Sequence, residues 1–66
     1  MTITYSKHAI SRCNERQITL SAVNNAIIKG VKYIINNKIK FVLNGICVIA
    51  YLSDCKKCFI LTVHYN

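Results

Sequence analysis

The chain has 66 residues, of which 53% are hydrophobic, and nine Lys or Arg against two acidic residues give it a formal net charge of +7. A chain this short forms one domain at most and has a thin core, but its apolar content excludes a disordered protein. So basic a domain most often binds a polyanion, with nucleic acid the leading candidate; surplus lysine that serves only solubility is the alternative.

The sequence shows no targeting or membrane-spanning segment. Residues 1 to 30 contain no apolar run long enough for the core of a signal peptide, and no stretch approaches about 18 apolar residues. The longest apolar run, Ile46 to Leu52, has the length of a strand. We therefore expect a cytoplasmic protein that does not bind a membrane and whose four cysteines are reduced.

Residues 6 to 30 predict two helices. Ser6 is a suitable N-cap for a first helix that ends near Arg16, and Thr19 is a suitable cap for a second helix from Leu20 to Lys29. The short link between them predicts a tight corner. We expect Gly30 to end the second helix in the left-handed conformation.

The first helix has an apolar stripe and a polar side. The stripe consists of Ala9, Ile10 and Cys13. The polar side contains residues at the i+3 and i+4 spacings that make helical neighbours, and these are His8, Arg12, Glu15 and Arg16.

After Gly30 the sequence predicts antiparallel strands joined by tight turns. The predicted strands are 31–35, 39–43, 46–52 and 58–65. Asn44-Gly45 is a strong signal for a two-residue hairpin, and 36–38 and 53–57 have the composition of turns. We predict one α+β domain over residues 1 to 66, in which two N-terminal helices pack on a three- or four-stranded antiparallel sheet.

The opening stretch, YSKHAISRCNERQITLSAVNNAIIKG, resembles a family of small domains of unknown function that begin Ser/Thr-x-His-Ala-x-x-Arg-x-x-x-Arg-x-Ile. The ending, NGICVIAYLSDCKKCFILTVHYN, is similar to the closing hairpin of that family. The family is grouped with RelE-like toxin folds, many of which are metal-independent ribonucleases. The resemblance implies the order α-α-β-β-β-β and these motif residues: Ser6, His8, Ala9, Arg12, Arg16, Ile18 and Thr62. His64 and the Cys-Lys-Lys-Cys segment depart from the family pattern.

Metal-independent RNA cleavage requires an acid, a base and cations that stabilise the charge developing at phosphorus. Histidine suits proton transfer near neutral pH, and the planar fork of arginine binds phosphate oxygens. We expect His8, Arg12 and His64 to be the catalytic residues, with the last strand close to the first helix. Further contacts to RNA phosphates are expected from Arg16, Lys7, Lys56 and Lys57.

The same residues have simpler interpretations. Arg12 can form an ion pair with Glu15 on the helix surface, His8 can cap or pack, and His64 can be an exposed strand residue. RNA binding without cleavage and a purely structural role therefore both stay open beside catalysis.

The cysteines allow three interpretations. Cys55 and Cys58 have the spacing of half a zinc site, but no second such pair exists to complete it. A reactive dithiol beside two lysines is another interpretation, and two ordinary reduced thiols are the simplest. We expect no metal and no cofactor, and we expect Cys13 and Cys47 to lie in the core.

Aromatic residues give a further candidate for RNA contact. Stacking with bases on an open sheet face and packing in the core are both consistent with their strand spacing. The residues concerned are Tyr5, Tyr33, Phe41, Tyr51, Phe59 and Tyr65.

These observations favour a toxin-like, metal-independent endoribonuclease that acts on RNA. The alternative is a non-catalytic inhibitor, of mobile-element or phage anti-defence type, which binds a larger protein complex that handles nucleic acid. The expected partners are RNA or another polyanion and either an acidic antitoxin or that larger complex, and a homodimer is also considered.

Overall fold

The computed structural model describes residues 2–53 and 57–66, which form an α+β fold with two helices and a mixed five-stranded sheet. The helices are α1 (Lys7–Arg16) and α2 (Leu20–Lys29). The strands are β1 (Thr2–Tyr5), β2 (Val31–Ile35), β3 (Lys38–Leu43), β4 (Ile46–Leu52) and β5 (Lys57–Tyr65). Neither described helix is long and apolar enough to cross a membrane.

Both helices begin at the predicted caps. The Ser6 Oγ accepts a hydrogen bond from the Ala9 N–H at 3.0 Å, and the Thr19 Oγ1 accepts one from the Ala22 N–H at 3.1 Å. Each cap satisfies an N–H group that has no partner within its own helix. Gln17 ends α1 in the left-handed conformation, with φ 55°. The predicted helix boundaries are therefore confirmed.

Gly30 ends α2, but not in the left-handed conformation that we expected. Its φ of −73° and ψ of 166° are extended, and its N–H donates to the Ala26 carbonyl at 2.9 Å. A Cβ at this position would overlap the Ala26 carbonyl oxygen and lie 2.8 Å from that of Val42. The expectation was wrong because glycine is required here for close approach between α2 and β3, not for its backbone angles.

β1 is the strand that the sequence prediction missed. It pairs in parallel with the first half of β5, with Thr2 opposite Lys57 and Tyr5 opposite Ile60. The sheet has the order β1-β5-β4-β3-β2 and is mixed, so the prediction of three or four antiparallel strands was wrong. The chain order is β-α-α-β-β-β-β instead of α-α-β-β-β-β.

The other four strands form an antiparallel meander, and its turns at 36–37 and 44–45 lie where the sequence predicts them, whereas most of the predicted turn at 53–57 lies outside the described residues. Asn44 and Gly45 have φ angles of 52° and 79°, as a two-residue hairpin requires. The pairing of β4 with β5 contains one irregularity, because Ala50 lies opposite Ile60 whereas Ile49 lies opposite Thr62. The extra residue on β5 is therefore Leu61, which forms a β-bulge.

The helices cover one face of the sheet, with α1 packed on β5 and α2 on β3 and β4. The core between the layers contains Ala9, Cys13, Ile18, Val23, Ala26, Ile27, Phe41, Val48, Ala50, Cys58, Ile60 and Val63. On β5, Ile60 and Val63 both face the helices although they are three residues apart. The bulge at Leu61 makes this possible, since it shifts the alternation of the strand by one residue.

Candidate nucleic-acid interface

The side of the sheet opposite the helices is formed by the alternate residues of each strand. Val48 and Val63 are paired and belong to the core beneath the helices, so their neighbours Cys47 and His64 lie on the other side. We call this second side the open face. Its residues on β2 to β5 are Val31, Tyr33, Ile35, Lys38, Lys40, Val42, Cys47, Ile49, Tyr51, Lys57, Phe59, Thr62 and His64.

The open face is positively charged. Lys38 and Lys40 occupy alternate positions of β3, and Lys57 lies at the beginning of β5. Of the two acidic residues in the chain, Glu15 lies on α1, and Asp54 falls outside the described residues. The described part of the open face therefore carries three ammonium groups and no side-chain carboxylate.

The Lys40 ammonium interacts with two other groups of the open face, a ring and a thiol. Its Nζ lies over the ring of Tyr33, 5.9 Å from the ring centroid, within the range of a cation–π interaction. Burial raises the pKa of the Cys47 thiol, and the Lys40 charge acts in the opposite direction. The Lys40 ammonium therefore lies on the open face beside Tyr33 of β2.

Three of the six aromatic residues lie on the open face, and each of them is exposed. Tyr51 on β4 is paired with Phe59 on β5 and with Lys38 on β3, so two rings and one cation form a row across the sheet. Tyr33 lies beyond this row, on β2. The other three aromatic residues, Tyr5, Phe41 and Tyr65, lie on the helix side.

His64 lies on the open face and is partly exposed. Its Nδ1 is 3.0 Å from the carbonyl oxygen of Tyr65. The tautomer that donates from Nδ1 to this carbonyl leaves Nε2 as a proton acceptor. In this tautomer the Nε2 atom can accept a hydrogen bond from a group on the open side of the sheet.

His8 and Arg12 form a separate polar cluster on the exposed side of α1. The Arg12 Nε donates to the His8 Nε2 at 3.3 Å, and its Nη1 donates to the Glu15 carboxylate at 2.8 Å. The hydrogen bond and the charge of Arg12 lower the pKa of this carboxyl from its ordinary value. Because the sheet lies between α1 and the open face, the structure joins His8 to Arg12 but does not bring His64 to them.

Arg16 is directed toward the sheet. Its Nη1 donates to the Val63 carbonyl at 2.9 Å, and the Tyr65 hydroxyl donates to the Arg16 carbonyl at 2.7 Å. β1 covers only the first half of this edge of β5, and the Ser6 hydroxyl donates to the next carbonyl, that of Leu61, at 3.1 Å. Arg16 therefore closes an exposed strand edge, which is a role that we did not expect from the sequence.

The remaining predicted phosphate contacts are divided between the two sides of the molecule. Lys7 is the first residue of α1, whereas Lys57 lies on the open face. Lys56 falls outside the described residues. The structure therefore adds only Lys57 to the surface that contains His64.

Sequence reasoning missed Lys38 and Lys40. The signal was present, because these lysines alternate with Ile39 and Phe41, whose side chains pack with the core. Such alternation places the lysines together on the face that is not covered by the helices.

The three described cysteines are free and buried. Cys13 and Cys58 lie in the core beneath the helices, Cys47 lies on the open face, and burial raises the pKa of all three thiols. The expected burial of Cys13 and Cys47 is confirmed. Cys55 falls outside the described residues, and among those described there is no group of three His, Cys, Asp or Glu that would hold a metal ion.

No protein-family model and no curated protein sequence matches the chain. Among solved structures, the fold is similar to a chain in the crystal structure of the toxin–antitoxin complex RelBE2 from Mycobacterium tuberculosis. The TM-score is 0.74 at 13% sequence identity, over 98% of this chain and 96% of that chain. At this identity the likeness concerns the fold, and it supports grouping this α+β fold with the RelE-like folds.

Proposed function

We propose that this protein is a toxin-like domain that binds RNA on its open face and cleaves it without a metal ion. The observation that carries the proposal is the combination of Lys38, Lys40 and Lys57 with exposed aromatic rings on one uncovered sheet face. Ammonium groups bind phosphates, and aromatic rings stack on bases of any sequence. The likeness to a chain of a toxin–antitoxin complex supports the toxin-like part of the proposal.

The row of Phe59, Tyr51 and Lys38 suits a single strand of RNA. These residues lie opposite one another on three neighbouring strands, which are about 4.8 Å apart. A base stacked on Tyr51 would have its phosphate within reach of the Lys38 ammonium. Single-strand binding is favoured because bases paired in a duplex do not offer their faces for stacking.

We propose His64 as the base that takes the 2′-hydroxyl proton. Its Nδ1 contact leaves Nε2 as an acceptor, and Lys40 lies two strands away, at about 10 Å between strand axes. A phosphate bound over β4 would lie between the imidazole and this ammonium, where a cation stabilises the charge that develops at phosphorus. His8 and Arg12 on α1 form the alternative candidate site for proton transfer and phosphate contact.

The binding proposal is tested with Lys40→Gln and a matched control, Lys29→Gln. Each variant removes one positive charge, but Lys29 ends α2, away from the open face. We expect Lys40→Gln to weaken binding of a labelled single-stranded RNA about tenfold, and Lys29→Gln by less than about threefold. Equal weakening in both variants would show that RNA responds to net charge and not to the open face.

The cleavage proposal is tested by incubating the wild-type protein with RNA in the presence of EDTA. We expect cleavage that persists in the chelator and is lost in His64→Ala while RNA affinity is retained. Absence of cleavage by the wild-type protein would remove the enzymatic part of the proposal and leave RNA binding to stand alone.

A second candidate is the non-catalytic inhibitor that binds a larger protein complex. The observation in its favour is the exposure of the apolar residues of β2, among them Val31, Ile34 and Ile35. Such a surface suits a protein partner better than RNA. Binding to a protein without cleavage of RNA would distinguish this candidate.

A further inference from the structure

β2 is an edge strand, which among the described residues pairs only with β3. All five of its residues are exposed, and Ile34 is the most exposed of its four hydrophobic residues, at 79%. Proteins usually protect such an edge with a proline, a bulge or a charge, because its free backbone groups are a template for another strand. The chain contains no proline, and the pairing of β2 with β3 is continuous, so among the described residues Lys32 is the one protection of this kind on β2.

The free hydrogen-bonding groups of this edge belong to Lys32 and Ile34. A two-residue loop joins β2 to β3, and Ile35 pairs with Lys38 on either side of it. The pair that flanks such a loop is hydrogen-bonded, and hydrogen-bonded pairs then alternate along the hairpin. The N–H and C=O groups of Lys32 and Ile34 therefore point away from β3.

The opposite edge of the sheet, formed by β1 and the second half of β5, is covered by other parts of the chain. There, Ile3 and Tyr5 of β1 pack against the core, and Ser6 and Arg16 donate hydrogen bonds to the part of β5 that β1 leaves uncovered. β2 has no comparable cover in the described structure. The β2 edge is therefore the more available of the two for a partner.

A groove of about 350 Å³ lies beside the β2 edge. Apolar and polar surface contribute about equally to its lining, and Lys40 supplies a cation. The lining residues are Tyr33, Ile34, Ile35, Lys40, Val42 and Asn66. The groove can therefore accept an apolar side chain and hold a carboxylate at its rim.

The positive charge around the β2 edge favours an acidic partner strand over a second copy of the chain. Lys29 precedes β2, Lys32 lies within it, and Lys38 and Lys40 lie on the neighbouring strand. A second copy of the chain would bring a net charge of +7 and the same lysines to the interface, which like-charge repulsion opposes. A strand that combines acidic and apolar residues would be complementary.

We propose that an extended acidic and apolar segment of a partner protein adds to β2 as a sixth strand. Its backbone would pair with the free groups of Lys32 and Ile34, its apolar side chains would occupy the groove, and its carboxylates would meet the lysines. Because Tyr33 and Lys40 also belong to the open face, this strand would restrict access of RNA. That consequence rests on the proposed function, whereas strand addition itself does not.

The test uses two capped peptides of about nine residues, one that alternates valine with glutamate and one that alternates valine with lysine. We expect the glutamate peptide to bind the intact protein one to one and to slow hydrogen exchange at the Lys32 and Ile34 amides at least tenfold. The lysine peptide should bind at least about tenfold more weakly, because its charges would face Lys32 on one side of the sheet or Lys38 and Lys40 on the other.

Two variants, each with a control variant, test the contributions of the edge backbone and of its charge. Ile34→Pro removes an outward N–H without breaking a bond to β3, so the peptide should no longer bind, and Ile34→Thr, which keeps this N–H, should still bind. Lys32→Glu should shift the preference toward the lysine peptide. Lys7→Glu, with the same change in charge at the start of α1, should keep the preference for glutamate.

Three results would overturn the proposal: equal binding of both peptides, unchanged exchange at Lys32 and Ile34, or a homodimer that Ile34→Pro dissociates. Competition with labelled RNA separates this proposal from the proposed function. If the peptide protects the edge amides but the protein binds no RNA, the proposed function is wrong and strand addition is supported. If the protein binds RNA but the peptide does not protect these amides, strand addition is wrong and RNA binding is supported.

Discussion

Arg16 and Tyr65 are joined by a hydrogen bond of 2.7 Å from the tyrosine hydroxyl to the arginine carbonyl. The Arg16 guanidinium in turn donates to the carbonyl of Val63, two residues before Tyr65. His64 lies between these two attachment points and is partly exposed on the other face of the sheet. The last residue of α1 therefore fixes the segment of β5 that presents His64.

Arg16→Gln should destabilise the protein more than Arg12→Gln, although both remove one guanidinium from α1. Loss of a charge-assisted bond to a partly buried carbonyl should cost about 1–2 kcal/mol. Arg12 is paired with Glu15 on the surface, and exposed ion pairs contribute little to stability. Urea unfolding of both variants measures the difference. An equal loss would contradict the role given to Arg16.

The two histidine variants should separate the two candidate sites. If cleavage occurs on the open face, His64→Ala should lower its rate by about a hundredfold or more, and His8→Ala should leave it nearly unchanged. The measurement is cleavage of a labelled RNA, with thermal melts to show that both variants are folded. Loss of activity only in His8→Ala would show that the catalytic site lies on α1 and not on the open face.

Gly30→Ala should be much more harmful than Gly45→Ala. A Cβ at Gly30 meets two backbone carbonyl oxygens, so the end of α2 or β3 must move, at about 2 kcal/mol or more. Gly45 has a φ of 79° and open space around it, so alanine there should cost only about 1 kcal/mol of backbone strain. Denaturation midpoints of the two variants compare these effects, and equal losses would show that α2 and β3 can separate without cost.

The buried thiols should react slowly in the native protein. Burial raises the pKa of Cys13, Cys47 and Cys58, so these thiols stay protonated at about pH 8, where unfolded cysteines begin to ionise. Their contribution to stability is present below about pH 8.5 and is lost as pH rises further, because only the unfolded state then releases these protons. Iodoacetamide labelling of Cys55→Ser, native and in urea, tests this, and rapid native labelling would contradict it.

The sequence predicted the elements whose signals are local. Ser6 and Thr19 cap their helices within three residues, and Asn44-Gly45 turns the chain between adjacent strands. β1 has no such signal, because its partner β5 follows both helices and the other strands. Parallel pairing at this separation leaves no turn residues for a pattern to detect.

The position of His64 was not predictable from strand alternation. A regular strand would place His64 on the same side as Cys58 and Ile60, next to α1, as we expected. The bulge at Leu61 reverses this alternation and moves the imidazole to the open face. The sequence contains no residue type that marks this bulge, whereas the lysines of β3 could have been placed by their alternation with core residues.

The parallel pairing of β1 with β5 also bears on the order of events during synthesis. β1 and α1 leave the ribosome first, but the strand on which both pack is the last of the described elements to emerge. Contacts that join distant parts of a chain form slowly, because the intervening segment must first be ordered. The nascent chain therefore exposes the apolar side of α1 until residues 57–65 have been made, and this half of the molecule folds only after their translation.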